Sequence, residues 1–163
     1  MAKRFPDPDL PEHVDIRTLE NARVVPDEVI DSYGLNNAVI SAIDTGSYNI
    51  HFKIESEGKR FDLRKSNRPS QIGNHDYESE ILNHLRSQGF TLAPEVVPSV
   101  SGDFNLWVDD TGWTLFKWMG SDSGPQRELA NRSRALAAAK TLADIHRMCK
   151  DFHPAAQRAK WPI

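Results

Sequence analysis

Two β-rich runs separated by a short glycine-containing segment constrain the fold of this chain more than any other feature of its sequence. They cover residues 38–43 and 48–54, and the segment between them reads Asp-Thr-Gly-Ser. The second run carries apolar side chains at every other position, namely Tyr48, Ile50, Phe52 and Ile54. Because successive side chains of a strand point to opposite faces, this pattern predicts an antiparallel hairpin with one buried face and one polar face.

The residues that follow extend the hairpin into a small sheet and then into a helix. A turn at 57–59 leads into a third predicted strand at 60–65, and residues 76–88 are predicted to form a helix that Gly89 terminates. Four side chains recur at helical spacing and share one face of this helix: Glu78, Ile81, Leu82 and Leu85. The carboxylate of Glu78 is therefore expected to point towards the core.

Weaker signals predict further elements on both sides of this segment. A short helix is predicted between Pro26 and Gly34, and short strands are predicted at 95–98, 104–108 and 113–118. The sheet is therefore expected to have about five or six strands, which is an ordinary number for a small domain.

The two ends of the chain differ in composition from its middle. Residues 1–16 combine prolines with acidic residues and are predicted to form a flexible tail. Alanine, leucine and arginine dominate the chain after Gly124, where a long amphipathic helix is predicted to end before Pro154. Its apolar side chains step by three and four: Ala135, Ala138, Leu142, Ile145, Cys149 and Phe152.

Composition excludes several classes of function. With 20 lysines and arginines against 23 acidic residues, the formal net charge of −3 gives no support to nucleic-acid binding through a basic surface. The single Cys149 excludes an internal disulfide and a cysteine-rich zinc site. No apolar run approaches the length of a membrane span, and the first residues lack the apolar segment of a signal peptide, so a cytoplasmic location is the expectation.

The order of the predicted elements is the order that a triphosphate-binding surface requires. Gly46 permits the close approach of backbone N–H groups to phosphate oxygens, and the hydroxyl of Ser47 can supplement them. A cation from Arg64 or Lys65, oriented by the carboxylate of Glu78, would supply fixed positive charge. Each feature alone occurs in many unrelated proteins, and only their order points to a nucleotide.

Several stretches of the sequence also resemble a known group of enzymes. Residues 37–49 and 61–65 are similar to the first strands of the aminoglycoside phosphotransferase and type II homoserine kinase group. Residues 78–98 resemble that group's first-lobe helix and the strand after it, and residues 114–120 resemble its inter-lobe linker. Residues 142–146 resemble its "LA.lH" helix, and residues 152–154 and 161–162 resemble the segment beyond that helix. The resemblance extends from about residue 27 to residue 163.

This resemblance implies an α+β fold and a division of the chain. The fold is that of a protein-kinase-like N-lobe with an antiparallel sheet and one core helix, followed by a linker and a long helix that begins an absent C-lobe. After the tail at 1–16, residues 17–120 would form the nucleotide-binding N-lobe, and residues 121–163 the linker and first helix of a truncated C-lobe. The implied donor is ATP or GTP with Mg²⁺, in an enzyme that phosphorylates a small molecule.

The resemblance also assigns roles to individual residues. Carried over position by position, it places Thr45, Gly46 and Ser47 over the phosphates. Glu78 would hold the cation of the third strand, and backbone groups of Lys117, Trp118 and Met119 would contact the adenine. By motif register the cation is Arg64. Simple alternation instead groups Lys65 with Phe61 and Leu63 and would send Lys65 into the cleft. Arg64 is the preferred choice, and a β-bulge would reverse it.

The sequence departs from this group in one respect. The group's catalytic aspartate lies in a loop reading approximately His-Gly-Asp-x-x-x-x-Asn, with a metal-binding aspartate downstream, and neither His75-Asp76 nor residues 144–146 fit that pattern. Positioning and electrostatics supply most of phosphoryl-transfer catalysis, so the chain is expected to be inactive alone. No catalytic residue and no metal ligand is assigned.

Two other functions fit the same residues. One is a non-catalytic protein-interaction module that keeps the shape of the lobe, and the other is one half of a split kinase completed by a second polypeptide. Apolar surface around Trp118, Trp161 and the last helix would then bind a partner or mediate self-association. Without a nucleotide, Gly46-Ser47 is only a hairpin tip and Glu78 only one half of a structural ion pair.

Overall fold

A computed structural model of the protein describes residues 24–43, 49–66, 72–109, 111–120 and 132–156. Within these residues lie three helices and one six-stranded sheet. The helices are α1 (Asp27–Ser32), α2 (Ile72–Ser87) and α3 (Arg132–Met148). The strands are β1 (Val39–Ile43), β2 (Ile50–Ser56), β3 (Lys59–Ser66), β4 (Val96–Val97), β5 (Asn105–Val108) and β6 (Thr111–Lys117). The predicted α+β class is confirmed.

The sheet is antiparallel throughout, with the strand order β1-β2-β3-β6-β4, and β5 also pairs with β6. The two short strands share one edge of β6, because β5 pairs with its first half and β4 with its second half. Asn105 lies opposite Thr114, whereas Val96 lies opposite Phe116. This arrangement leaves β3 and β6 as neighbouring inner strands, and the second half of β3 and most of β6 are buried.

One face of the sheet is apolar, and we call it the α1 face because α1 and the turn after it pack against it. Its strand side chains are buried: Ile50, Phe52, Ile54, Leu63, Trp113 and Leu115. Val29, Tyr33 and Leu35 cover them from the α1 side. The alternation predicted for the second strand is confirmed at its three described positions, and Tyr48 lies outside the described residues.

The opposite face is richer in polar side chains, although it also buries Phe116 and Val96, and we call it the α2 face. The register sets His51 opposite Arg64 and Arg64 opposite Thr114, so all three side chains share this face. Helix α2 packs on it: the Ser79 hydroxyl lies 3.3 Å from Oδ1 of Asn105, and Nδ2 of Asn105 lies 3.1 Å from the same hydroxyl. A sheet with one apolar and one polar face therefore separates the core from the candidate site.

Helix α2 ends as predicted but begins earlier than predicted. Gly89 has φ +81°, the left-handed conformation that closes a helix and that L side chains rarely adopt. The helix begins at Ile72 rather than Asp76. Residues 72–75 read Ile-Gly-Asn-His and offer neither a capping box nor apolar periodicity, so sequence signals place the start too late.

Helix α3 lies within the predicted long helix, and none of its residues is buried. Among the described residues, no helix combines the length and apolar character that crossing a membrane would need. The predictions for the tail at 1–16, the hairpin tip at 44–47 and Trp161 fall outside the described residues. The division of the chain at residues 17, 120 and 163 stays a prediction.

Candidate functional site

The buried guanidinium of Arg64 is the centre of the α2 face. Arg64 is only 8% exposed, although it lies near the end of β3. Its Nη1 donates to Oε1 of Glu78 at 2.9 Å, and its Nη2 lies 2.8 Å from Oε2 of the same carboxylate. The predicted contact between Glu78 and the cation of the third strand is therefore present. Two nitrogens of the guanidinium meet the two carboxylate oxygens, which is the arrangement that these groups favour.

Three further groups fix the orientation of this guanidinium. Its Nη2 lies 3.2 Å from Nδ1 of His75 and donates to Oγ1 of Thr114 at 3.4 Å. The Cζ atom of Arg64 stands 5.0 Å from the centre of the Phe116 ring, within the range of a cation–π contact. The cation is held by β6 and α2 together, so its position is set before any ligand arrives.

The Arg64–Glu78 pair lies at the boundary between packed protein and solvent. The side chain of Glu78 is 41% exposed, whereas that of Arg64 is 9% exposed. The Nε atom of Arg64 is buried and has no hydrogen-bond partner within the described part of the chain. Nη1 carries two N–H donors and has one partner among the described residues, the Glu78 carboxylate, so one donor is left for an anionic oxygen, whereas the buried Nε is out of reach.

Sequence reasoning missed His75 as a member of the site. The ring is buried, and it meets the Trp107 ring edge-on with 5.6 Å between ring centres. Burial, followed by the nearby charge of Arg64, lowers the pKa of His75 below its ordinary value of 6.5, so the ring is uncharged at neutral pH. Had the helix been predicted from Ile72, the spacing of His75 to Glu78 and Ser79 would have put it on the buried face.

The second candidate cation, Lys65, lies on the other side of the sheet. Its Nζ stands 5.3 Å from the centre of the Trp113 ring on the α1 face, and burial lowers its pKa. The grouping of Lys65 with Phe61 and Leu63 by alternation is correct. That grouping does not bring Lys65 to Glu78, because the face that these residues share is the apolar one. The structure therefore brings Arg64 and Glu78 together and separates them from Lys65.

The segment predicted to contact an adenine runs from Lys117 to Met119 at the end of β6. The amide of Lys117 donates to the carbonyl of Glu95 at 2.9 Å, and the amide of Trp118 donates to the carbonyl of Arg60 at 3.2 Å. Of these three amides, only that of Met119 lacks a partner within the described ranges. The backbone donors available to a base are therefore fewer than the sequence alone predicts.

The α2 face beside this segment carries ionisable side chains in close contact. Nδ1 of His51 lies 2.9 Å from a carboxylate oxygen of Asp62, and Nζ of Lys53 lies 2.8 Å from Glu55. The ammonium group of Lys53 also stands 5.9 Å from the centre of the Trp118 ring. This surface suits a polar or charged ligand better than an apolar one.

The predicted phosphate-binding loop cannot be placed relative to this surface, because it lies outside the described residues. Thr45, Gly46 and Ser47 lie outside the described residues, so their placement over phosphates stays a prediction. Within the parts of the chain that the structure describes, no three His, Cys, Asp or Glu side chains converge as a metal site requires.

Several solved kinases are similar in structure to this chain. The microcompartment-associated aminopropanol kinase superposes with a TM-score of 0.65 and 21% sequence identity, over 83% of this chain and 43% of that one. An aminoglycoside phosphotransferase from Alicyclobacillus acidocaldarius gives a TM-score of 0.60 and 20% identity, over 80% and 36%. Amicoumacin kinase, solved with AMP-PNP, Ca²⁺ and Ami, gives 0.57 and 16%, over 87% and 45%.

This chain spans less than half the length of each of these three kinases. No protein-family profile matches the sequence, and no curated protein is similar to it in sequence. At such identities the likeness concerns the fold alone. The chain has the fold of the N-terminal part of small-molecule kinases of the aminoglycoside phosphotransferase type.

Proposed function

We propose that this chain binds the nucleotide donor, ATP or GTP, of a small-molecule phosphotransferase. The observation that carries the proposal is the buried Arg64 guanidinium, held by Glu78, His75 and Thr114 on the polar face of the sheet. The likeness of the fold to kinases, one of them solved with AMP-PNP, supports it.

Arg64 is the cation that we propose to meet the phosphates. Its two terminal nitrogens are oriented by Glu78, so little side-chain freedom is left to lose when a phosphate oxygen binds. The partial exposure of Glu78 indicates that solvent reaches the pair. Lys65 takes no part in this site, because it lies on the α1 face.

We propose that the base lies beside the end of β6. The Met119 amide supplies the backbone donor there, and the Trp118 ring with the Lys53 ammonium borders the surface. The predicted roles of Gly46 and Ser47 over the phosphates complete the proposal. A glycine there would let backbone N–H groups approach the phosphate oxygens closely.

Binding, and not transfer, is the activity that we propose for these 163 residues. Their sequence contains no His-Gly-Asp-x-x-x-x-Asn loop, and the described residues provide no metal ligand set. Phosphoryl transfer needs a positioned base or nucleophile and metal-held phosphates. We therefore propose that a second lobe, in this or another polypeptide, would be needed for catalysis.

Titration of the 163-residue chain with Mg·ATP and with Mg·GTP in a calorimeter tests this proposal. We expect saturable binding of at least one of them. Arg64→Gln should weaken it by at least about 10-fold, because a hydrogen bond to a charged group is lost. Lys65→Gln removes the neighbouring charge on the opposite face and should leave the affinity unchanged. Equal losses in both variants, with both still folded by circular dichroism, would count against Arg64 as the phosphate ligand.

A second candidate function, a protein-interaction module, is favoured by the surface of α3. Leu142, which lies on the apolar stripe of α3, is 54% exposed, and Leu136 on the same helix is 62% exposed. Exposed apolar stripes of this kind mark contact surfaces. Sedimentation at increasing protein concentration should then show association that Leu142→Lys abolishes, whereas Lys150→Glu, an exposed change just after the same helix, should not. A monomer at every concentration would argue against self-association.

A further inference from the structure

We infer that His75 is a positioning residue: its uncharged imidazole accepts a hydrogen bond from Arg64 and holds the guanidinium in the orientation proposed to meet phosphate. The part of this inference that concerns phosphate rests on the proposed function. The part that concerns the Arg64–His75 contact is independent of it, so the two parts can be tested separately.

The geometry defines which nitrogen of the ring accepts. Nδ1 of His75 lies 3.2 Å from Nη2 of Arg64, and a guanidinium nitrogen only donates. Nδ1 must therefore be unprotonated, which puts the ring proton on Nε2. That atom is buried and has no partner within the described residues, and the ring edge meets Trp107. Packing, rather than a second hydrogen bond, thus fixes the plane of the ring.

The charges around His75 make its neutral form part of the site. Arg64 faces the ring from β3, Glu78 and Asp76 lie beside it on α2, and Trp107 covers it from β5. Asp76 is itself engaged, because its Oδ1 accepts from Nδ2 of Asn105 at 2.9 Å. A proton on Nδ1 would remove the acceptor and set a positive charge against Arg64, so protonation should release the guanidinium from this contact.

The spacing of His75 and Glu78 along α2 lets both side chains reach Arg64. Glu78 follows His75 by three residues, so the two side chains lie on adjacent turns of one helix face and reach the same guanidinium. Glu78 supplies charge, whereas His75 supplies a neutral acceptor at a different angle. Together with Thr114 from β6, they restrain Arg64 from two elements.

Nitrogen NMR of the labelled 163-residue chain near neutral pH tests the contact directly. We expect a neutral His75 ring with its proton on Nε2, and a shift of the Arg64 side-chain resonances when His75 becomes protonated at low pH. A ring protonated on Nδ1 at neutral pH, or Arg64 resonances that do not respond to His75, would overturn the inference.

Two substitutions separate the acceptor from the bulk of the ring. His75→Asn retains an acceptor close to the position of Nδ1, whereas His75→Phe retains the ring and removes the acceptor. We expect His75→Phe to weaken Mg·ATP binding on the order of 10-fold and His75→Asn to restore most of the affinity. Wild-type affinity should also fall relative to that of His75→Asn as the pH falls towards the folded-state pKa of His75, which burial sets below the ordinary value of 6.5. Comparing variants cancels the titration of ATP itself.

Full affinity in the Phe variant, or equal losses in both variants, would overturn the positioning role, since the acceptor would then be irrelevant. If neither wild type nor variants bind Mg·ATP or Mg·GTP, the proposed function fails. The nitrogen spectra then decide the contact between His75 and Arg64 by themselves.

Discussion

Arg64 and Lys65 are adjacent in sequence, and a displacement of one residue along β3 gives them different chemistry. Arg64 faces α2, where a carboxylate, an imidazole and a hydroxyl surround it. Lys65 faces the apolar side, where burial lowers its pKa. Strand alternation shows which residues share a face, but it does not show which face a later helix will cover. The choice between these cations therefore needed the packing of α2.

The titration of His75 gives a prediction about stability. Its pKa in the folded chain lies below the ordinary value of 6.5, mainly because the ring is buried. As the pH falls below 6.5, the unfolded chain therefore binds more protons at this site than the folded chain does, and the free energy of unfolding must decrease. The contribution of His75 is fully present above the unfolded-state pKa and is lost as the pH falls towards the folded-state pKa.

Urea unfolding at about pH 7.5 and about pH 5.5 measures this contribution, in the window below the ordinary histidine pKa. The wild-type free energy of unfolding should drop more between these two values than that of His75→Asn, which cannot titrate there. The comparison cancels the titration of the other groups. Parallel pH profiles would show that His75 is not the buried neutral group described here.

At the scale of elements, α1 is tied to the sheet by one buried hydrogen bond. The Tyr33 hydroxyl donates to the carbonyl of Trp113 at 3.1 Å, and burial raises the pKa of this phenol above its ordinary range. Tyr33→Phe should lower the free energy of unfolding by about 1 kcal/mol, the usual net contribution of such a hydrogen bond. Tyr77→Phe, the same change at a half-buried position, should have a smaller effect in the same urea titration. Equal effects would contradict this role for the Tyr33 hydroxyl.

The outer side of α2 has a role that its polar sequence does not predict. The Glu80 carboxylate accepts from the amides of Ala155 and Ala156 at 2.7 and 3.1 Å. Nε2 of His84 lies 2.8 Å from the carbonyl of Met148, and its ring centre lies 4.8 Å from that of Phe152. The segment after α3 is therefore bound to α2 by polar groups that a simple helical pattern assigns to solvent.

Glu80→Ala tests this attachment. Loss of the carboxylate should speed hydrogen exchange at the amides of Ala155 and Ala156, while exchange in β3 and β6 should be unaffected, because the sheet core does not depend on this contact. Lys150→Ala, an exposed change in the same segment, is the matched control. If exchange at residues 155 and 156 does not change, the segment is not held by Glu80.

The elements that sequence predicts well are those with local signals. The short helix before Gly34, the first three strands and the end of α2 at Gly89 follow from alternation, turns and a glycine cap, and each is confirmed. The early start of α2 and the inclusion of His75 do not follow, because residues 72–75 carry no helix-start signal and His75 contacts Arg64 and Trp107 of the sheet. The start of α2 therefore depends on tertiary packing, which the local sequence pattern does not show.

At the scale of the whole molecule, the apolar side of the sheet supports the fold and the polar side offers the candidate site. The α1 face buries its side chains completely at Phe52, Ile54, Leu63 and Leu115. Across the sheet, the Arg64 guanidinium lies against α2, and its partner Glu78 is partly exposed to solvent. Substitutions at the site should therefore leave the packed core intact. The free energies of unfolding of single variants on the two faces can test this.

The resemblance to aminoglycoside phosphotransferases predicts the fold better than it predicts the ligand. The order of strands and helices carries the fold, and the structural similarity to three kinases agrees with it. Ligand choice depends on individual contacts such as those of Arg64 and Met119, which a degenerate sequence resemblance does not determine. The function therefore has to be tested at the site.

Paramagnetic broadening of NMR signals by Mn·ATP tests the central claim most directly, because it locates the nucleotide on the described surface. We predict selective broadening of resonances from Arg64, Thr114 and Met119 on or beside the α2 face, with little effect on Val29 and Leu35 on the α1 face. An excess of diamagnetic Mg·ATP should reverse this broadening by competing for the same site. Broadening centred on α3 or on the α1 face, or no broadening at saturating Mn·ATP, would contradict nucleotide binding at Arg64.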